Sequence, residues 1–223
     1  MNLLLLSLII PAVIIVAFLL YLKRKFTIKS WNLLMQSFIL GIFSILILVV
    51  LDQFAHYMEW DVLRNLKRTG FYSFVVVGFG SELGKFVVLR YIFLPKKNFH
   101  GPIDGVIYSS MISMGFTLLA LPLFVSGIFS SPVKLPFVLL YPIANLAFAA
   151  ITGFFTGLGK LRRNKLIDSI SGLGTATFLH GFFYFINLTD EYTIYFLYGL
   201  GTLFIATILL LKARNLKLEE PAR

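Results

Sequence analysis

Residues 77–86, "VGFGSELGKF", put a glutamate and a lysine three positions apart, among three glycines, inside a long apolar run. Two readings compete: a glycine-rich phosphate loop, or a helix packed within a membrane. A dinucleotide fingerprint needs G-x-G-x-x-G between a strand and a helix, and here the third glycine comes one residue late. A P-loop needs four residues between its glycines and Ser or Thr after its lysine. Gly80 and Gly84 have three between them, and Phe86 follows Lys85. The surrounding chain favours the membrane helix.

Of 223 residues, 58% are hydrophobic and 13% charged, against roughly a quarter charged in a soluble domain. The excess falls in long apolar runs divided by short polar segments, the pattern of an all-α polytopic membrane protein. A spanning helix needs about 20 mostly apolar residues. Seven segments meet this, at about 3–22, 33–51, 71–94, 103–129, 135–158, 168–188 and 194–211, giving a single integral membrane domain over 1–223. Helices are required because in lipid each backbone polar group must be satisfied within its own segment. Residues 3–22 have no basic residue before them and "KRK" after them, so they read as a retained first span and not a signal peptide. Pro122 and Pro142 predict bends in the fourth and fifth spans. The absence of cysteine excludes disulfides and thiolate metal sites.

Basic residues set the orientation. One set of alternate loops, "KRKFTIK", "PKKNFH", "GKLRRNK" and the tail "KARNLKLEEPAR", carries 14 Lys or Arg. The opposite loops carry four (Arg64, Lys67, Arg68 and Lys134) and the acidic turn "TDEYT". The positive-inside rule then predicts an outside N-terminus and a cytoplasmic C-terminus. Topology and attraction to anionic lipid account for the net charge of +10, and nucleic acid is not an expected partner. Residues 52–70 are expected to be the longest loop, an amphipathic segment along the outer interface with Tyr57 and Trp60 at headgroup depth. Asp52, His56 and Glu59 share helical spacing there. A solvated face explains them better than a metal site.

Gly80 and Gly84, like Gly153 and Gly157, form G-x-x-x-G pairs that clear a strip for close helix contact. Glu82 and Lys85 share a face at i and i+3 and partly neutralise each other. A charge at the centre of a span costs about 2.5–3.5 kcal/mol to insert, so this face should look into the protein. A second polar feature, "FLHGFFYF" with His180, lies in the sixth span.

"SELGK", "DGVIYSSMISMGFTLL" and "FLHGFFYF", in this order along the third, fourth and sixth spans, resemble the PrsW family of intramembrane metalloproteases, related to the CAAX-processing and bacteriocin-immunity proteases. The likeness runs from the basic loop after the first span through the sixth. It implies Glu-Glu-x-x-Lys on one span, Asp-Gly-x-x-Tyr-Gly leading into Phe-x-x-x-Glu on the next, then a histidine, then His-x-x-x-Asp. Here Glu82, Lys85, Asp104, Gly105, Tyr108, Phe116 and His180 match. The leading glutamate is Ser81, the next is Ala120, the intermediate histidine falls at Asn145, and the closing aspartate is Tyr184.

Zinc hydrolysis needs about three side-chain ligands, a position open to water, and a carboxylate base. Of the set the resemblance implies, Glu82 remains as a residual catalytic carboxylate, and His180 with Glu82 as the only metal-binding pair. Lys85 and Asn145 complete a polar core. Asp104 lies roughly 24 Å along its helix from the level of Ala120 and restores nothing. Asp168 opens the sixth span as a charge near the helix N-terminus.

The chain therefore reads as a catalytically inactive, hydrolase-like relative, without a cofactor, that binds single-span membrane proteins within the lipid bilayer. Two alternatives stay open. One is an active zinc-dependent peptidase with a divergent site. The other is a small transporter or proton-coupled channel in which Glu82 and His180 form a relay. The orientation is testable directly: cysteines introduced singly at Asn65 and Arg163 should label from opposite faces of the membrane, Asn65 from outside. Labelling from one face contradicts it.

Overall fold

The computed structural model describes residues 2–25, 30–129, 133–162, 164–188 and 192–218. Seven long helices follow one another: α1 (Leu3–Lys25), α2 (Trp31–Tyr57), α3 (Leu66–Phe93), α4 (Pro102–Val125), α5 (Leu135–Leu161), α6 (Lys165–Asn187) and α7 (Tyr192–Leu218). There is no strand among the described residues. Each helix overlaps one expected span, so the chain is an all-α polytopic membrane protein. Six are long and apolar enough to cross a membrane; α6 is not among them. Its 23 residues include Ser169, Ser171, Thr175, Thr177 and His180, and it packs chiefly against α5 and α3. Arg163, the acidic residues of the "TDEYT" turn and the tail beyond Leu218 lie outside the described residues.

The bundle is layered. α3, α4 and α5 are mostly buried, whereas few residues of α1 and α7 are. A cluster of Tyr72, Phe116, Phe124, Phe137, Tyr141, Phe148, Phe183 and Tyr184 fills the centre.

The segment 52–70 departs from the reading as a long interfacial loop. α2 continues as helix to Tyr57 and α3 begins at Leu66, which leaves a short turn. The reason is on the inner face. Asp52 is buried and accepts a hydrogen bond from the Tyr72 hydroxyl, and Ala55 is fully buried, so this turn of helix belongs to the core. Glu59 adopts a positive φ of 55° that ends the helix, and Trp60 lies edge-on between Phe54 and Phe71. Glu59 therefore lies beyond the helix that carries Asp52 and His56. His56 pairs instead with Asp61, Nδ1 to Oδ2 at 2.7 Å.

Glycines set the closest contacts, because the missing Cβ lets backbones touch. Gly84 lies on the Ser44 carbonyl of α2, with Gly80 beside Leu48 of the same helix. Gly153 and Gly157 lie on the backbone of α4 at Gly105 and Gly101. Sequence spacing did not reveal a third pair: a Cβ on Gly78 would stand 2.8 Å from the Gly181 Cα, bringing α3 and α6 into backbone contact. α3 itself changes form there. π-helical turns at Tyr72–Phe79 and Val88–Phe93 flank a regular α-helical stretch, Gly80–Val87. Inserted π turns re-aim side chains and recur at functional sites.

Gly78→Ala should cost about 1–3 kcal/mol, since the obstacle is backbone and cannot yield. Gly174→Ala, with open space around it, should be neutral or stabilise by up to about 1 kcal/mol through helix propensity. Denaturant titration of the purified protein separates the two. The reverse order would contradict this packing.

Candidate functional site

The α-helical stretch of α3 carries Glu82 and Lys85 on its inner face, at 1% and 4% exposure. The Lys85 ammonium donates to Glu82 Oε1 at 2.6 Å and to Asn145 Oδ1 of α5 at 2.8 Å, and stands 5.0 Å above the Phe116 ring of α4. His180 of α6, held close by the Gly78–Gly181 contact, donates from Nδ1 to the same Glu82 oxygen at 2.7 Å. An ionised carboxylate only accepts, so this bond places the imidazole proton on Nδ1 and the lone pair on Nε2. Nε2 is buried and has no partner among the described residues. The ring stacks on Phe148 at 5.1 Å and meets Tyr141 edge-on at 5.6 Å.

Asn145 is held from several sides. Its Nδ2 donates to the Tyr141 carbonyl at 3.2 Å, and its own carbonyl accepts from Ser113 of α4 at 2.9 Å. Thr117 in turn donates to the Ser113 carbonyl. This network fixes the amide orientation, so the oxygen faces Lys85. The cluster is locally neutral, one carboxylate against one ammonium, with the imidazole as a second donor.

Glu82, Lys85, Asn145 and His180 thus meet from three helices. Ser81 is buried beside Glu82, with its hydroxyl near that of Tyr141. Ala120 and Tyr184 are fully buried in the aromatic cluster. Asp104 stays at the far end of α4, accepting from the backbone N–H of His100 at 2.7 Å. Asp168 lies in the first turn of α6. Sequence reasoning missed Ser113, Phe148 and Tyr141, which hold or wall the cluster. They are ordinary residues of apolar spans, and only the three-dimensional arrangement singles them out.

Zinc asks for about three nitrogen, sulfur or carboxylate ligands. The cluster offers one carboxylate, whose Oε1 already receives two donors, and one imidazole lone pair. Among the described residues no third His, Cys, Asp or Glu joins them. The residues present do not fit a zinc site.

Comparison with known proteins now has a site to refer to. Residues 29–211 match the PrsW family of intramembrane metalloproteases. The chain belongs to this family. It is similar to proteins called Protease PrsW from Oceanobacillus iheyensis (27% identical over 180 residues, 79% of each chain) and Bacillus subtilis (28% over 184 residues, 79% of each). A Protease PrsW from Clostridioides difficile is 25% identical over 142 residues, covering 59% of this chain and 56% of that one, so this match spans little more than half the relative's length. No solved structure matches. The PrsW-family match spans all the cluster residues, from Glu82 to His180.

Removing one partner of a buried ion pair costs about 3–5 kcal/mol, and removing one neutral acceptor about 1–3 kcal/mol. Lys85→Met should therefore destabilise the fold more than Asn145→Leu. Denaturant titration checks the order. An equal or reversed effect would mean that Lys85 is not held as drawn.

Proposed function

We propose that this chain is a non-hydrolytic member of the PrsW family that acts by binding other membrane proteins, single-span segments in particular, within the bilayer. The observation that carries the reading is the donor set around Glu82. Ser81, Ala120, Asn145 and Tyr184 stand where the family pattern calls for two glutamates, a histidine and an aspartate. What remains is a carboxylate neutralised by Lys85 and braced by His180. Without a metal to lower the pKa of bound water, a single buried carboxylate has no activated nucleophile to direct at a peptide bond. The PrsW-family match over residues 29–211 covers most of the bundle, which suits recognition without cleavage.

The same reading takes the protein as a resident of a prokaryotic plasma membrane, with its N-terminus outside, on the strength of the 14 basic residues in one set of loops against four in the other. One observation favours a second reading, a peptidase with a divergent site. His180 Nδ1 bonds Glu82 while its buried Nε2 has no partner among the described residues, which leaves one imidazole lone pair for an ion.

The deciding assay reconstitutes wild type and Glu82→Gln in liposomes with single-span membrane substrates. The proposed function predicts no cleavage by either and a zinc content well below one per chain. Zinc-dependent cleavage by wild type that disappears in Glu82→Gln would establish the second reading instead.

A further inference from the structure

The hydroxyls of this chain fall into two groups. Most helical Ser and Thr side chains bond back to a carbonyl one turn earlier: Ser37 to Leu34, Thr117 to Ser113, Ser171 to Ile167, Thr175 to Ser171, Thr202 to Tyr198 and Thr207 to Leu203. That is the usual way for a hydroxyl in a membrane helix to satisfy itself. Ser73, Ser81, Thr177, Thr152, Thr156 and Ser169 do not, and their oxygens have no partner among the described residues. The last three are 2%, 0% and 0% exposed. The Asp168 Oδ2 atom is in the same condition. The contrast is sharpest within α6, where Ser171 on the outer face bonds back and Ser169 on the inner face does not.

Thr152 and Thr156 of α5 and Asp168 and Ser169 of α6 belong to two helices that pack along one seam. α5 and α6 are antiparallel neighbours joined by a short turn. Gly159 faces the Asp168 Cβ and Gly172 faces Thr152, and further along Tyr141 and Phe148 face His180. The register is therefore even, and it sets Thr156 opposite Ser169 midway between the two glycine contacts. At i, i+4 and i+7 spacing, α5 presents Asn145, Ala149, Thr152 and Thr156 to this seam. α6 presents Ser169, Gly172, Ala176 and His180. Apart from Phe155 beside Gly172 and Phe148 beside His180, these residues are small or polar from the α5–α6 turn to the Glu82 cluster, and the series ends at another unpartnered atom, His180 Nε2.

Buried polar atoms without protein partners are what internal water binds, usually through about three hydrogen bonds per molecule. We infer that the α5–α6 seam is a hydrated lane, in which water bridges Asp168, Ser169, Thr156 and Thr152 and reaches the buried cluster from the α5–α6 turn. This is independent of whether the cluster hydrolyses anything. Water along the seam would ease the solvation of Glu82 and Lys85 and give the site polar access from one face of the membrane only.

The natural absence of cysteine makes the test clean. Thr156→Cys and Ser169→Cys are near-isosteric, with Leu139→Cys as the lipid-facing control and Arg162→Cys as the control at the turn. The thiolate is the reacting form and needs water to exist, so methanethiosulfonate ethylammonium should modify both seam cysteines about tenfold or more faster than Leu139→Cys. The second measurement is a sign. In a hydrated seam Thr156→Val strands a bridging water and lowers the Tm. In a dry seam it removes an unsatisfied hydroxyl and raises or preserves it. Seam cysteines as unreactive as Leu139→Cys, or a Tm that holds or rises in Thr156→Val, would overturn the lane.

Discussion

A carboxylate in the middle of a membrane protein must have company, and the Glu82 side chain dictates much of what surrounds it. An isolated charge there has lost its solvation at high cost, so a buried Glu draws in a cation and further donors or the fold fails. Lys85 supplies the charge from one turn along the same helix, and His180 supplies a second donor from α6. Asn145 then accepts a second of the three ammonium N–H groups from α5. Three helices are committed to one neutral cluster, and Ser113 of α4 ties in a fourth.

That convergence has a geometric condition. His180 reaches Glu82 because α3 and α6 touch backbone to backbone at Gly78 and Gly181. The π-helical turns on either side of Gly80–Val87 rotate the inner face of α3 relative to a regular helix, so that tight packing and an inward charge coexist on one helix. The same economy operates at α4 and α5, where Gly105 and Gly153 bring Ser113 within reach of the Asn145 carbonyl.

Much of this was legible in the residues. Apolar runs of spanning length give the seven helices, and the G-x-x-x-G pairs at Gly80 and Gly153 mark two of the close contacts. Glu82 and Lys85 at i and i+3 announce an inward pair. What pattern alone does not carry is contact between helices. Gly78 and Gly181 are unremarkable one at a time, and nothing in the span of α5 marks Phe148 as the ring beneath His180. The misread segment 52–70 fails for the same reason. Its charged residues look solvated until the partner of Asp52, Tyr72 on the next helix, is known. Membership of the PrsW family is also carried by order and spacing along the chain, whereas the proposal that hydrolysis is lost rests on which side chains stand at four positions.

The central claim is that Glu82 and Lys85 form a mutually dependent neutral unit, and a double-mutant cycle tests it most directly. Folding stability is measured for wild type, Glu82→Gln, Lys85→Met and the double variant. Each single change leaves an uncompensated polar or charged group in the core, so each should cost several kcal/mol, on the order of 3–5 for the loss of Lys85. The double variant removes both charges and should recover much of that loss, giving a large favourable coupling. Simple additivity, with the double variant as unstable as the two single losses together, would contradict the account.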